Sequence, residues 1–208
     1  TMLLADIICN NMNALLPNKS CFFPATENMT PLVVSHSPEG YTDDDIFAAA
    51  ERIPANSSDI KVVFLDAEYV TTDTSYCTGE TCGFGRTLKR VGRPDISAIF
   101  LPRIKKYVDA HFGSNFSADV FGYIVSAVTI HEVGHQLGLV NGETSAVTDH
   151  EDAAGAPNHC VNPKCIMHST GPGISWWEWS KNHTSGVGDL LFDNACTTDI
   201  QAAITYPR

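Results

Sequence analysis

Five consecutive residues, His131-Glu132-Val133-Gly134-His135, carry the clearest chemistry in the chain. On a helix, residues four apart share a face, so both imidazoles can reach one metal ion. Glu132 then projects about 100° round the axis, where it can touch a metal-bound water without ligating the metal. The spacing suits zinc, with one catalytic ion. Two helix ligands leave such an ion in need of a third protein ligand and a fourth position for water. The downstream candidates for the third ligand are Asp149, His150, Glu151, Asp152 and His159.

Those residues need a rigid element to hold them. A helix is expected from Ser117, as N-cap with Asp119 in its first turn, through Val120, Phe121, Ile124, Val125, Ala127, Val128 and Ile130 to Leu137. It is apolar nearly all round, so it should lie buried against a sheet. Gly138 follows, a residue able to take the left-handed conformation that ends a helix and turns the chain back. Upstream, Ile60 to Leu65 and Ile96 to Leu101 have the composition of strands, and Pro31 to Ser35 is a short apolar run. Thr42, followed by three aspartates, caps an expected helix through Ile46 to Arg52. The order strand, helix, strand, strand makes an α/β layer. The longest irregular region runs from about Gly142 to Ser175.

With Gly138 included, the motif resembles that of the metzincin zinc endopeptidases, His-Glu-X-X-His-X-X-Gly-X-X-His followed by a Met-containing turn. The third histidine of that pattern falls on Asn141, a poor zinc ligand. Further on, His159-Cys160-X-X-X-X-Cys165-Ile166-Met167 resembles the corresponding stretch of archaemetzincins, and the His159-to-Met167 step equals that of matrixins. The resemblance favours His159 as third ligand over His150 and the carboxylates, with Asn141 to Asn158 looped out as an insertion. It implies that Met167 sits under the zinc as an apolar floor. Archaemetzincins carry further cysteines in a second zinc site, whereas only Cys196 follows here, so a Cys160–Cys165 disulfide is expected instead. Thr197 to Tyr206 looks like the last helix of matrixin catalytic domains.

The resemblance implies an α+β catalytic domain over residues 1–208, with a twisted, mostly parallel sheet and a buried active-site helix in an N-terminal subdomain, 1–138. A smaller irregular subdomain, 139–208, would hold the Met-turn and final helix. It also implies a zinc-dependent endopeptidase acting on protein or peptide substrates, with Glu132 as general base and then general acid. Ile96 to Leu101 is either an edge strand that pairs with extended substrate or an interior strand with no substrate contact, and Trp176, Trp177 and Trp179 could wall the specificity pocket or pack the core. His168 and His183 read as surface residues.

Composition limits the alternatives. In 208 residues, 43% are apolar, enough for one ordinary core. A formal net charge of −11 disfavours nucleic acid. No stretch reaches the ~18 consecutive apolar residues of a membrane helix, and an inhibitory pro-segment, if there is one, would lie outside this chain. Seven cysteines suggest local disulfides at Cys77–Cys82 and Cys160–Cys165, with Cys9–Cys21 a weaker pairing and Cys196 left over. Asn-X-Ser/Thr triplets at Asn18, Asn28, Asn56, Asn115 and Asn182 point to a secreted glycoprotein. Two other readings stay open: a zinc hydrolase of another clan completed by Asp149, Asp152 or Glu151, and a binding module with a structural zinc.

Overall fold

The computed structural model describes residues 38–52, 60–70, 83–93, 95–112, 117–140, 149–153, 157–169 and 192–205; side chains of 117–119 and 203–205 lie outside that description. Among the described residues, four helices and a three-stranded mixed sheet make an α+β fold: α1 (Asp43–Glu51), β1 (Lys61–Leu65), β2 (Gly85–Leu88), β3 (Ile96–Phe100), α2 (Leu101–Phe112), α3 (Ser117–Gln136) and α4 (Asn194–Thr205). The expected run Pro31–Ser35, the tryptophan cluster, His183, Cys9, Cys21, Cys77, Cys82 and all five Asn-X-Ser/Thr triplets fall outside the described residues.

α1 begins as expected. Thr42 accepts from the Asp45 N–H, while the Asp45 carboxylate accepts from the Thr42 N–H at 2.9 Å, a reciprocal cap that satisfies two orphan donors. The sheet order is β1-β3-β2, with β1 parallel and β2 antiparallel to β3. Two expectations change here. The described sheet is mixed rather than mostly parallel. And Ile96 to Leu101 is no edge: β3 is flanked on both sides and buried along its whole length, so it has no side left to pair with substrate. Its apolar continuity is that of a central strand. Leu101 leaves the strand to open α2, whose Ile104 and Val108 stack one turn apart into the core.

The sheet separates two apolar clusters. On one face Ile46, Phe47 and Ala50 of α1 pack with Leu65, Tyr69, Leu88, Ile96, Ala98 and Phe100. On the other, Ile99 and Phe84 meet Ile104 and Val108 of α2 and Val120, Ile124, Val128 and Val133 of α3. As its composition predicts, α3 is the buried helix, with Ile124, Ala127 and Ile130 fully enclosed. Burying such side chains stabilises the fold by about 1.5–3 kcal/mol each.

α3 ends at a glycine cap. Gly138 takes φ +84°, its N–H donates to His135 O, and the Leu139 N–H reaches back to Gly134 O, both at 3.1 Å. That pair of bonds with a buried residue after the glycine is a Schellman motif, and a Cβ at this φ would be strained. Further along, the chain forms a short ladder: Asp152 N–H donates to His159 O at 2.7 Å and Val161 N–H to His150 O at 2.9 Å. Asn158 turns at φ +66°, a conformation asparagine tolerates, immediately before His159.

Candidate metal centres

His131, His135 and His159 come together: one ring nitrogen of each lies within 4.8 Å of the others. The Nε2 atoms of His131 and His135 are 3.2 Å apart. Two ligands of a tetrahedral zinc at 2.0–2.1 Å would be separated by about 3.3 Å, so the helix already sets that edge of the coordination shell. The His159 ring stacks on His131 with centroids 5.2 Å apart and stands edge-on to His135 at 5.4 Å. His131 Nδ1 is 2.7 Å from Ile166 O and His159 Nδ1 is 3.0 Å from Pro157 O. A carbonyl only accepts, so Nδ1 carries the proton in both rings and Nε2 is left bare for a cation. Burial, and then the charge of His159, push the His135 pKa down to about 3, which keeps its ring neutral as a ligand must be.

Met167 is fully buried against α3. A Cβ added at Gly134 would overlap its sulfur and come within 3.2 Å of the Phe192 ring. The methionine thus lies directly beneath the helical turn that carries His131 and His135, and Gly134 is what lets it approach.

Glu132 faces the sheet. Its Oε2 is 2.9 Å from Thr87 Oγ1 of β2, and the same hydroxyl is 2.8 Å from the Glu132 carbonyl oxygen. Burial raises the Glu132 pKa to about 7, against the opposing pull of the Thr87 hydrogen bonds and the Arg86 charge. A single hydroxyl proton cannot serve two acceptors at full strength. When Glu132 is protonated, its own proton can complete the bond to Thr87 Oγ1 while Thr87 donates to the carbonyl.

Of the rival ligands, His150 lies elsewhere: its Nε2 is 3.3 Å from Cys196 Sγ and 3.8 Å from the Asp199 carboxylate, with both residues buried. Asp149 is exposed, and Glu151 accepts the Asn158 N–H at 2.7 Å. His168 turns its Nδ1 to Cys160 O at 2.8 Å.

A second group surrounds Cys196. Cys160, Cys165 and Cys196 are free and buried, and with Asp193 they offer four ligand atoms within 4.8 Å of one another. The disulfide expected between Cys160 and Cys165 is therefore not formed. The spacing of the pair carries turn residues that could close a disulfide loop, but here both thiols turn toward the start of α4. Cys165 and Cys196 Sγ stand 3.6 Å apart, too far for a disulfide bond and close to the ~3.8 Å edge of a tetrahedral zinc–thiolate site. Asp193 Oδ2 is 3.3 Å from Cys160 Sγ and 3.0 Å from Asn162 Nδ2, while Oδ1 accepts the Cys196 N–H at 2.9 Å. Burial opposes ionisation of Asp193, yet these bonds, the Cys196 N–H foremost, hold its pKa below the usual carboxylate value. Hydrogen bonds from Cys160 and Cys196 favour the thiolate of Cys165. Asp193 and Asp199 carry no sequence signal of their own. They are found only once the chain around α4 brings Asp193 to Cys160 and Asn162 and Asp199 to His150.

Set against known protein families, curated proteins and solved structures, the chain matches none.

Proposed function

We propose that this chain is a zinc-dependent endopeptidase of metzincin type, with His131, His135 and His159 as zinc ligands, Glu132 as general base and Met167 as the floor of the site. The observation that carries the reading is the convergence of three histidines, two of them with ring protons fixed outward, above a methionine seated on Gly134. A zinc ion held by three neutral imidazoles would polarise a peptide carbonyl and lower the pKa of water toward ~7. Glu132, whose carboxyl sits next to the histidine pair in sequence with Oε2 held by Thr87, is suited to take a proton from water and return it to the leaving amine. No covalent intermediate is required. The five Asn-X-Ser/Thr triplets support secretion as part of the same reading. Among the described residues no helix is long and apolar enough to cross a membrane.

The cysteine group supports a second ion. Three thiols and a carboxylate, mostly buried, are the donor set of a closed structural zinc site with no position left for water.

Digestion of a diverse peptide library by zinc-loaded protein, read by mass spectrometry, tests the enzyme reading. Internal cuts by wild type that fall by several orders of magnitude in Glu132→Ala support it. Equal turnover in the zinc-loaded variant overturns the mechanism, and cleavage by neither protein overturns the activity.

A further inference from the structure

The two ligand groups share their scaffolding. Cys160 follows His159, the third histidine, directly in the chain. Cys165 precedes Ile166, whose carbonyl fixes the His131 ring at 2.7 Å, and Met167, which packs on Gly134. Asp193 follows Phe192, whose ring lies against the same glycine. Three of the four side chains in the cysteine group are thus adjacent in sequence to a residue that touches the histidine site or its helix. The loop between them is closed at its base by the Cys160 N–H bond to Met167 O, 2.9 Å, and at its turn by Cys165 N–H to Asn162 O, 2.9 Å. Within the loop Val161 is 53% exposed, whereas Cys160, Cys165, Ile166 and Met167 are fully buried. Val161 N–H to His150 O and Asn162 Nδ2 to Asp193 Oδ2 also hold it, and a metal would add direct links from Cys160 and Cys165 to Asp193 and Cys196.

Resting on the reading of both groups as metal centres, we propose that they load in order: an ion on Cys160, Cys165, Asp193 and Cys196 fixes loop 159–168 and thereby completes the histidine site. The physical reason is preorganisation. His131 and His135 are set by α3 whether or not a metal is present, but His159 depends on a loop whose ordering costs conformational entropy. If the thiolate centre has already met that cost, the histidine site binds more tightly, and by linkage the coupling is reciprocal. Cys196 is the informative position, because it ligates in the second group and is not adjacent to a residue that touches the first.

The test is equilibrium metal binding to the full chain. Apo-protein is titrated with Co²⁺, following thiolate-to-cobalt charge transfer for one centre and ligand-field bands for the other. Charge transfer should rise before the ligand-field bands of the histidine site, and a simultaneous rise would overturn the order. In Cys196→Ser the histidine site should bind Zn²⁺ roughly ten- to hundred-fold more weakly in competition with a chelator, the range seen when groups that orient ligands are lost. His159→Ala should abolish the histidine site and keep the charge-transfer band. An unchanged Zn²⁺ affinity in Cys196→Ser, full loading of the histidine site before any thiolate band, or a wild type that binds a single equivalent would each overturn the proposal. The wild-type titration decides even if Cys196→Ser does not fold. None of these readouts depends on peptide cleavage, so loss of the ordering and loss of the peptidase reading are separate results.

Discussion

The hydroxyl of Thr87 stands 2.9 Å from Glu132 Oε2 and 2.8 Å from the carbonyl of the same residue, tying the C-terminal part of the buried helix to β2. Its hydrogen bonds oppose the effect of burial on the Glu132 pKa. Thr87→Val keeps the shape and removes the hydroxyl, so Glu132 should hold its proton to higher pH. A shift of about one unit costs about ten-fold in base form below the pKa. We expect the acid limb of the kcat/KM profile to move to higher pH while zinc content stays unchanged. A profile that does not move would mean that Thr87 serves packing alone.

The same carboxyl makes the metal-free protein sensitive to pH. Its folded pKa, about 7, lies above the ordinary 4.5, so between those values the native state binds more protons than the unfolded chain. This contribution to stability is lost as pH rises through that window. The shift corresponds to about 3 kcal/mol once the group is fully ionised. Denaturant unfolding of metal-free Glu132→Gln should show a flatter loss of stability from pH 5 to pH 8 than wild type. Parallel curves would remove Glu132 as the cause.

Two glycines of α3 should respond in opposite directions to alanine. At Gly122 a new Cβ would meet nothing within 4 Å, and alanine should add up to about 1 kcal/mol through helix propensity. At Gly134 it would collide with the buried Met167 sulfur, and overpacking of this kind costs about 1–3 kcal/mol. Thermal unfolding should rank Gly122→Ala above wild type and Gly134→Ala below it. Equal stability of the two variants would mean that Met167 repacks freely.

The contrast between legible and illegible parts of this structure follows from where the signal resides. The buried helix, its histidine pair and its glycine cap are local patterns, and each can be read from spacing along 117–138. His159 is legible only through its distance to Met167. β2 is four residues long and opens on Gly85, where a Cβ would crowd Glu132 and Val128, and Gly-Arg-Thr-Leu is too short and too polar to stand out as a strand. Missing β2 leaves β3 looking like an edge. α2 begins within the apolar run of β3, with no break between strand and helix. The cysteine group is harder still, because Cys165 and Cys196 are far apart in sequence and meet at 3.6 Å only when α4 has docked. From sequence alone, the nearest thiol to Cys165 is Cys160, and a local disulfide follows by default.

His150 and His159 sit on neighbouring strands of one short ladder yet belong to different groups, and substitution separates them. His159→Ala should lower bound zinc by one equivalent, measured by metal analysis after dialysis, because α3 alone supplies two ligands to the histidine site. His150→Ala should retain that ion. Its Nε2 lies against Cys196 Sγ, so the expected consequence is a change in thiolate-to-cobalt charge transfer and weaker binding at the cysteine group. The opposite pattern, with zinc at the histidine site lost in His150→Ala and kept in His159→Ala, would move the third ligand into the insertion and require loop 149–159 to pair in another register.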